Sequence, residues 1–182
     1  EGNPSSPASA PATTAGPDVE RGWVECARAL SLACAATTPE EWRKVRALLE
    51  DAIRLQPTLE EAYEWLAGAE RSLGDEERAV AAYTRGVEAD RGYHPHYLGR
   101  ARLFAERGGR AQAAGEDPQE PFARAEADFD RALELSADSA LAWLQRGLVR
   151  QSAGLFLAQR GGDPSARWDA AEADYARALE LD

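Results

Sequence analysis

Apolar residues follow a helical spacing along most of the chain, from Asp18 to its last residues. In this stretch Ala, Leu, Glu and Arg dominate and strand-forming residues are sparse, a composition that favours helix. Glycines and prolines interrupt the spacing, for example at Pro57, Gly74 and Gly161. The pattern therefore predicts an all-α chain of short helices joined by turns.

The helical pattern repeats at an offset of 46 residues. Residues 125–135 read AEADFDRALEL, and residues 171–181 read AEADYARALEL. The same offset aligns aromatic with aromatic and glycine with glycine: Tyr97 with Trp143, Phe122 with Trp168, and Gly108 with Gly154. Self-similarity at a fixed period is the signature of a repeat architecture.

A shorter version of the same unit occupies residues 61–90, where a turn at Gly74 and Asp75 separates two helical stretches. Glycine supplies the left-handed conformation that ends a helix, and aspartate caps the next one. Upstream, Thr38 and Glu41 have the spacing of a capping box that starts another helix.

These units resemble the tetratricopeptide repeat, a helix-turn-helix unit of about 34 residues. The resemblance covers residues 19–182 and implies a right-handed superhelical solenoid of about four repeats and eight helices, in units 18–58, 59–92, 93–138 and 139–182. It also implies a large aromatic early in the first helix of each unit, with a small residue four positions later. These pairs are Trp23 with Ala27, Tyr63 with Ala67, Tyr97 with Ala101, and Trp143 with Gly147.

Units three and four are longer than the family pattern, by twelve residues between the turn glycine and the second helix. In unit four the sequence LFLAQR continues the apolar spacing of the first helix, and GGDP then makes a turn before Trp168. Six more residues on each helix lengthen a hairpin by roughly 9 Å. We therefore expect elongated hairpins in repeats three and four.

Residues 1–17 are rich in Pro, Ala, Ser and Thr, and predict a disordered linker because they offer little apolar surface to bury. The chain has no methionine and begins at Glu1, which favours a processed or excised piece of a longer polypeptide. Asp182 falls at the close of a second helix, where a solenoid exposes an apolar face unless something caps it. Either further chain or self-association through the last repeat would cover that face.

The net charge of −11 argues against a nucleic-acid surface and against adsorption to anionic membranes. No apolar run approaches the roughly 18 residues that a membrane-spanning helix needs, so no membrane insertion of this chain is expected. The compartment stays open: the cytoplasm is favoured, with an extracytoplasmic location after a removed signal or anchor as the alternative.

The sequence offers little catalytic chemistry. The two histidines, His94 and His96, have no metal-ligand spacing with cysteine or acidic residues, and we expect cap or surface roles for them. Cys26 and Cys34 are eight residues apart on one predicted helix, about 12 Å, which is too far for a disulfide. No catalytic residue, metal ligand or cofactor is predicted.

The resemblance implies that the first helices line a concave groove for a peptide or a partner's helix. By position, the groove residues are Glu64, Gly68, Arg71, Leu98, Arg102, Leu144, Leu148 and Gln151. The alternative for the leucines is packing against a following repeat. The arginines of these helices either bind an acidic partner or pair with carboxylates of the second helices, and internal pairing is favoured.

Three functions fit this sequence. The first is a protein–protein interaction scaffold, not itself an enzyme, that binds a peptide or helix of a partner. The second is the regulatory region of a larger enzyme, such as a bacterial serine/threonine protein kinase, because similar arrays follow such linkers. The third is a self-assembly module.

Overall fold

The computed structural model describes residues 16–181 and folds them into eight α-helices, with no strand in that range. The helices are α1 Pro17–Ala33, α2 Pro39–Leu55, α3 Glu60–Ser72, α4 Glu76–Ala89, α5 His94–Ala113, α6 Gln119–Leu135, α7 Ala140–Gln159 and α8 Ser165–Glu180. This confirms the all-α expectation. The linker prediction for residues 1–17 falls almost wholly outside the described residues, and Pro17 already belongs to α1.

The helices pair into four hairpins, α1 with α2, α3 with α4, α5 with α6, and α7 with α8. Each second helix then packs against the first helix of the next hairpin. The backbones of successive first helices also approach one another, whereas in the described range those of successive second helices do not. The stack therefore curves, with first helices on the inner side and second helices on the outer side.

Local sequence signals fix the helix ends. Thr38 and Glu41 form the expected capping box at the start of α2, and Asp75 accepts a hydrogen bond from the backbone N–H of Arg78 at the start of α4. Gly74 ends the preceding turn at φ 79°. Each device satisfies backbone groups that a helix end leaves unpaired.

The hairpins of units three and four are elongated as expected, since α5 and α7 have 20 residues each and α3 has 13. Glycines allow the two helices of each elongated hairpin to pack closely. A Cβ at Gly108 would lie 2.4 Å from the Phe122 ring, and one at Gly154 would lie 2.6 Å from Trp168 Nε1. The aromatic ring of the second helix thus rests directly on the backbone of the first.

The register expected for α1 is wrong by one residue. Trp23 is 50% exposed, and the residues that face α2 are Gly22, Cys26, Ala29 and Ala33. A Cβ at Gly22 would lie 2.9 Å from Gln56 Cβ, so α1 packs against α2 more closely than a tryptophan would allow. Cys26 is buried in this contact, while Cys34 is exposed and follows the helix.

Candidate protein-interaction groove

The inner side of the stack carries a cavity of about 270 Å³ between α5 and α7. Its floor is formed by Phe122 and Phe129 of α6, which are 3% and 0% exposed. Leu148 and Val149 of α7 form one apolar side. This arrangement offers an apolar recess on the surface that the first helices share.

Small residues hold the recess open. Ala105 and Gly109 line it from α5, and Ser152 lines it from α7. Successive first helices need not touch along their whole length, because side chains this short leave space between them. A side chain from another molecule that entered the recess would meet the two phenylalanine rings at its floor.

The rim of the recess is polar and contains one arginine without a carboxylate partner. Arg102 donates through Nε to Gln145 Oε1 at 2.9 Å, and within residues 16–181 no acidic oxygen lies within ion-pair distance of its guanidinium. Glu106 also lies on the rim, and its carboxylate forms an ion pair with the guanidinium of Arg71 of α3 at 3.0 Å. The terminal donors of Arg102 are therefore available beside the apolar recess.

The other arginines on these helices pair internally, as the sequence favoured. Arg100 lies 2.7 Å from Asp128, and Arg146 lies 2.6 Å from Asp174. Arg150 adds a second bond to Asp174 at 2.8 Å. Asp174 is 1% exposed, and a carboxylate this deeply buried requires such partners. These arginines join the two helices of a hairpin and are not free for a ligand.

The residues expected in the groove are not all brought together. Arg102 and Leu148 line the recess, Arg71 reaches it through Glu106, and Leu98 packs against the cluster that contains Phe129. Leu144 lies farther along, in a depression that it shares with Tyr175 and Leu179. Gln151 accepts a hydrogen bond from the Tyr175 hydroxyl of α8 at 3.1 Å.

Glu64 and Gly68 belong to a separate part of the inner side, on α3. Apart from its chain neighbours and the backbone of α3 itself, no atom lies within 4 Å of the place where a Gly68 Cβ would be, so the surface is open there. Burial, together with the nearby Glu64 carboxylate, raises the pKa of Tyr93 to about 12. This end of the groove is acidic, whereas the floor of the recess between α5 and α7 is apolar.

His96 is fully buried, which contradicts the expected cap or surface role. Its Nε2 lies 3.0 Å from the carbonyl oxygen of Glu60, and its ring rests on Gly86. Tyr63 and Tyr93 contact the ring edge-on. The histidine therefore packs α5 against α3 and α4.

Sequence reasoning missed the floor and the far side of the recess. The sequence does not predict that Phe122, Phe129 and Val149 reach the groove, because their access to it depends on how two hairpins stack. Gln145 gave no signal of its own. Only its pairing with Arg102 marks it as part of the rim.

Residues 16–181 lack two further features. No three His, Cys, Asp or Glu side chains lie together in an arrangement suited to a metal ion. None of the helices is both long enough and apolar enough to cross a membrane.

No family model matches the chain, and no curated protein matches it. Solved structures do resemble it. A crystal structure of MamA has a TM-score of 0.63 and 16% identity, over 88% of this chain and 77% of that one. TTC0263, a thermophilic tetratricopeptide repeat (TPR) protein of Thermus thermophilus, has a TM-score of 0.60 and 22% identity, over 88% and 74%.

A third resemblance is to the second TPR of Spaghetti (RPAP3), solved with the HSP90 peptide SRMEEVD. Its TM-score is 0.51 at 22% identity, over 70% of this chain and 96% of that one. At identities this low the likeness concerns the fold.

Proposed function

The chain has the tetratricopeptide repeat fold, and from that premise we propose that it is a non-catalytic module that holds a peptide or helix of a partner protein in its groove. The observation that carries this proposal is the recess between α5 and α7, with its apolar floor and one unpaired arginine on its rim. Convergent apolar and polar groups in a concave site are the usual marks of a binding surface.

The size of the recess suits one large apolar side chain. Its volume of about 270 Å³ lies at the lower edge of the roughly 300–1,000 Å³ of typical small-molecule pockets. A leucine, methionine or phenylalanine side chain enters such a recess while the rest of the peptide stays on the groove. Burial of an apolar side chain of this kind contributes about 1.5–3 kcal/mol.

Arg102 gives the partner a second requirement. A guanidinium without a carboxylate, placed beside an apolar recess, favours a carboxylate of the ligand, because such charge-assisted hydrogen bonds are stronger than neutral ones. The proposed ligand is therefore a segment with a large apolar residue and an acidic residue close to each other in space.

Similar structures support a peptide ligand without identifying it. The RPAP3 repeat domain holds the HSP90 peptide SRMEEVD, and YrrB is described as a TPR protein with an unusual peptide-binding site. Some members of the resembled family grip a terminal carboxylate with lysine and asparagine. Here the array has no asparagine, and its one lysine, Lys44, lies on the second helix α2. A different kind of recognition is expected.

The test is a selection of displayed random peptides on the whole chain, followed by calorimetric measurement of the best binder. Ala105→Phe fills the recess and Arg102→Ala removes its cation, and neither change disturbs an ion pair of the fold. We expect each variant to weaken binding about tenfold or more, which corresponds to about 1.4 kcal/mol.

The matched control is Arg43→Ala, because Arg43 is an exposed arginine on α2, away from the groove. It should leave the affinity unchanged. Selected peptides without a shared apolar residue, or full affinity in both groove variants, would contradict the proposed site.

A further inference from the structure

The outer side of the stack contains a charged cavity between α2 and α4. Its volume is about 420 Å³, which lies within the range of small-molecule sites. Leu66 and Glu70 of α3 are buried and form its floor, and the short side chains of Ala81 and Ala82 line it from α4. The cavity is separate from the groove on the inner side, because no residue lines both.

Glu70 is a buried carboxylate that lacks a donor. It is 4% exposed, and Arg46 Nη1 lies 3.7 Å from its Oε2, which is too long for a hydrogen bond. Within residues 16–181 no group donates a hydrogen bond to Oε2. Buried polar groups in folded proteins are almost always satisfied, so this oxygen indicates a partner that the chain does not supply.

The two other buried carboxylates of the described range have the donors that Glu70 lacks. Asp128 accepts hydrogen bonds from Nε and Nη2 of Arg100 at 2.8 and 2.7 Å. Asp174 accepts three hydrogen bonds from two arginines of α7, at distances between 2.6 and 3.0 Å. The chain therefore satisfies a buried carboxylate with guanidinium groups where it completes the site by itself.

Two arginines beside Glu70 have donors to spare. Arg46 makes no hydrogen bond to any of residues 16–181, and its side chain is 31% exposed. Arg78 pairs through Nε with Asp75, three residues earlier, at 3.2 Å. This pairing leaves the terminal Nη groups of Arg78 for another acceptor, and both arginines line the cavity.

The third arginine of the cavity is already neutralised. Arg85 donates to both carboxylate oxygens of Glu50, at 2.8 and 2.9 Å. Three arginines and two glutamates line the cavity, which leaves an excess of one positive charge in a chain whose net charge is −11. A local excess of this sign favours an anion as the ligand.

The ligand must both accept and donate hydrogen bonds. The guanidiniums of Arg46 and Arg78 only donate, so they require an acceptor such as an oxyanion. An ionised Glu70 only accepts, so it requires a donor on the same ligand. A phosphate ion has charged oxygens and still carries one O–H at neutral pH, whereas sulfate and simple carboxylate ions carry none.

We propose that the cavity between α2 and α4 binds a protonated phosphate group, as the free ion or as part of a small phosphate monoester. Arg46 and Arg78 donate to its charged oxygens, and its hydroxyl donates to Glu70. The volume of the cavity leaves room for the body of a small ester. This proposal does not depend on the groove.

The test is calorimetric titration of the full 182-residue chain with inorganic phosphate and with sulfate, at about pH 8. Sulfate has the same shape and charge but brings no proton, so Glu70 would first have to take one from solution, which is unfavourable at this pH although burial raises its pKa. We expect phosphate to bind and sulfate to bind at least about tenfold more weakly, because a hydrogen bond to a charged group is lost.

Glu70→Gln is the decisive variant. The amide group donates to either anion, so the preference for phosphate over sulfate should disappear, whereas a purely structural role of Glu70 would leave the ratio of the two affinities unchanged. The variant keeps the size of the side chain and removes a buried charge, and circular dichroism checks that it is folded.

Arg78→Ala tests the cationic side of the cavity and should weaken phosphate binding about tenfold. Its matched control is Arg54→Ala. Arg54 is also exposed and also pairs with an acid three residues earlier, Asp51, but it does not line the cavity. This control should leave the affinity unchanged.

The source of the phosphate group is identified by a second titration at about pH 6, where a monoester keeps part of its proton. Tighter binding of glycerol phosphate than of inorganic phosphate identifies an ester as the ligand, and the reverse order identifies the free ion.

Four results would overturn the proposal. Phosphate does not bind in the millimolar range, or sulfate binds as tightly as phosphate to the unmodified chain. Glu70→Gln keeps the preference for phosphate, or Arg54→Ala weakens binding as much as Arg78→Ala does, since the attraction would then be unspecific.

Discussion

Units three and four have nearly the same sequence pattern but different surroundings. Phe129 in unit three is 0% exposed, while its counterpart Tyr175 in unit four is half-buried and borders a depression that it shares with Leu144 and Leu179. Leu133 is 5% exposed and its counterpart Leu179 is 78% exposed. The helices differ little in length or in internal pairing, so the next hairpin accounts for the difference.

The comparison shows which interactions belong to a single hairpin and which belong to the contact between successive hairpins, which we call a joint. The pairing of arginine with aspartate recurs in both units, as Arg100 with Asp128 and Arg146 with Asp174, because both partners lie within one hairpin. Burial of the aromatic and leucine positions on the second helix needs a neighbour. In a repeat protein the contribution of a residue to the stability of the fold therefore depends partly on the unit that follows.

The largest difference is expected for the aromatic position of the second helix. Phe129→Ala should lower the free energy of unfolding by about 3–5 kcal/mol, because it leaves a cavity beneath α7. Tyr175→Ala removes a ring that solvent already reaches, and should cost roughly 1–2 kcal/mol. Urea denaturation followed by circular dichroism measures both values. Equal losses would mean that the two faces are equally covered in solution.

A smaller difference in the free energy of unfolding is expected for the glycines that allow the helices of the elongated hairpins to pack closely. Gly108→Ala forces a Cβ into the Phe122 ring, which is 3% exposed and has nowhere to move, and should cost about 1–3 kcal/mol. Gly154→Ala meets Trp168, which is 43% exposed and can shift outward, so its cost should be lower.

Gly109→Ala is the matched control for these glycines. A Cβ at Gly109 meets no atom within 4 Å, and alanine favours helix over glycine by about 0.8–1.0 kcal/mol. This variant should raise the midpoint of thermal unfolding, whereas Gly108→Ala should lower it. The same sign for both variants would show that the closeness of Phe122 is not what matters.

The smallest effect concerns pH at a covered joint. Burial pushes the pKa of Glu76 upward, but hydrogen bonds and charge from Arg107 and Arg110 of the next hairpin bring the pKa below its usual value. This carboxylate therefore stabilises the joint above its unfolded pKa of about 4.3, and the contribution is lost as the pH falls through the lower, folded pKa.

Glu76→Gln should accordingly cost about 1 kcal/mol or less at pH 7 and flatten the loss of unfolding free energy on acidification. Urea denaturation at pH 7 and at low pH measures this. Glu172→Gln, on the uncovered face, has no ion pair within residues 16–181 and should cost nothing measurable at pH 7. Equal losses at pH 7 would contradict the distinction between a covered and an open face.

Much of the fold follows from the sequence, because each hairpin is specified by local signals. The offset of 46, the capping box at Thr38 and Glu41 and the turn at Gly74 predict helices and turns that the structure contains. The internal pairing of Arg100 and Arg146 was also predictable, since an arginine facing a second helix rich in carboxylates tends to pair with it.

The predictions that the structure contradicts concern packing between helices. The resemblance implies that Trp23 is the early aromatic of α1, yet Gly22 holds the inner position, where α1 approaches Gln56 too closely for a ring. For His96, which lies at a helix start and has no metal-ligand spacing with other residues, the sequence predicts a cap or surface role. Its burial depends on Gly86 in the preceding hairpin, 10 residues earlier.

The candidate site was predictable only in part. Arg102 and Leu148 follow from their positions on first helices, but the recess between them depends on the angle at which α7 approaches α5. The same holds for the floor residues Phe122 and Phe129, whose sequence context indicates only that they are core. A groove formed by several hairpins is visible only when the hairpins are stacked.

The central claim, that a partner is held on the inner side between α5 and α7, is tested most directly by nuclear magnetic resonance of the ¹⁵N-labelled chain with the best selected peptide. The largest amide shift changes should occur at Ala105, Gly109 and Ser152, which line the recess. Changes confined to the surface of α8 around Leu179, or to the other second helices, would contradict the claim.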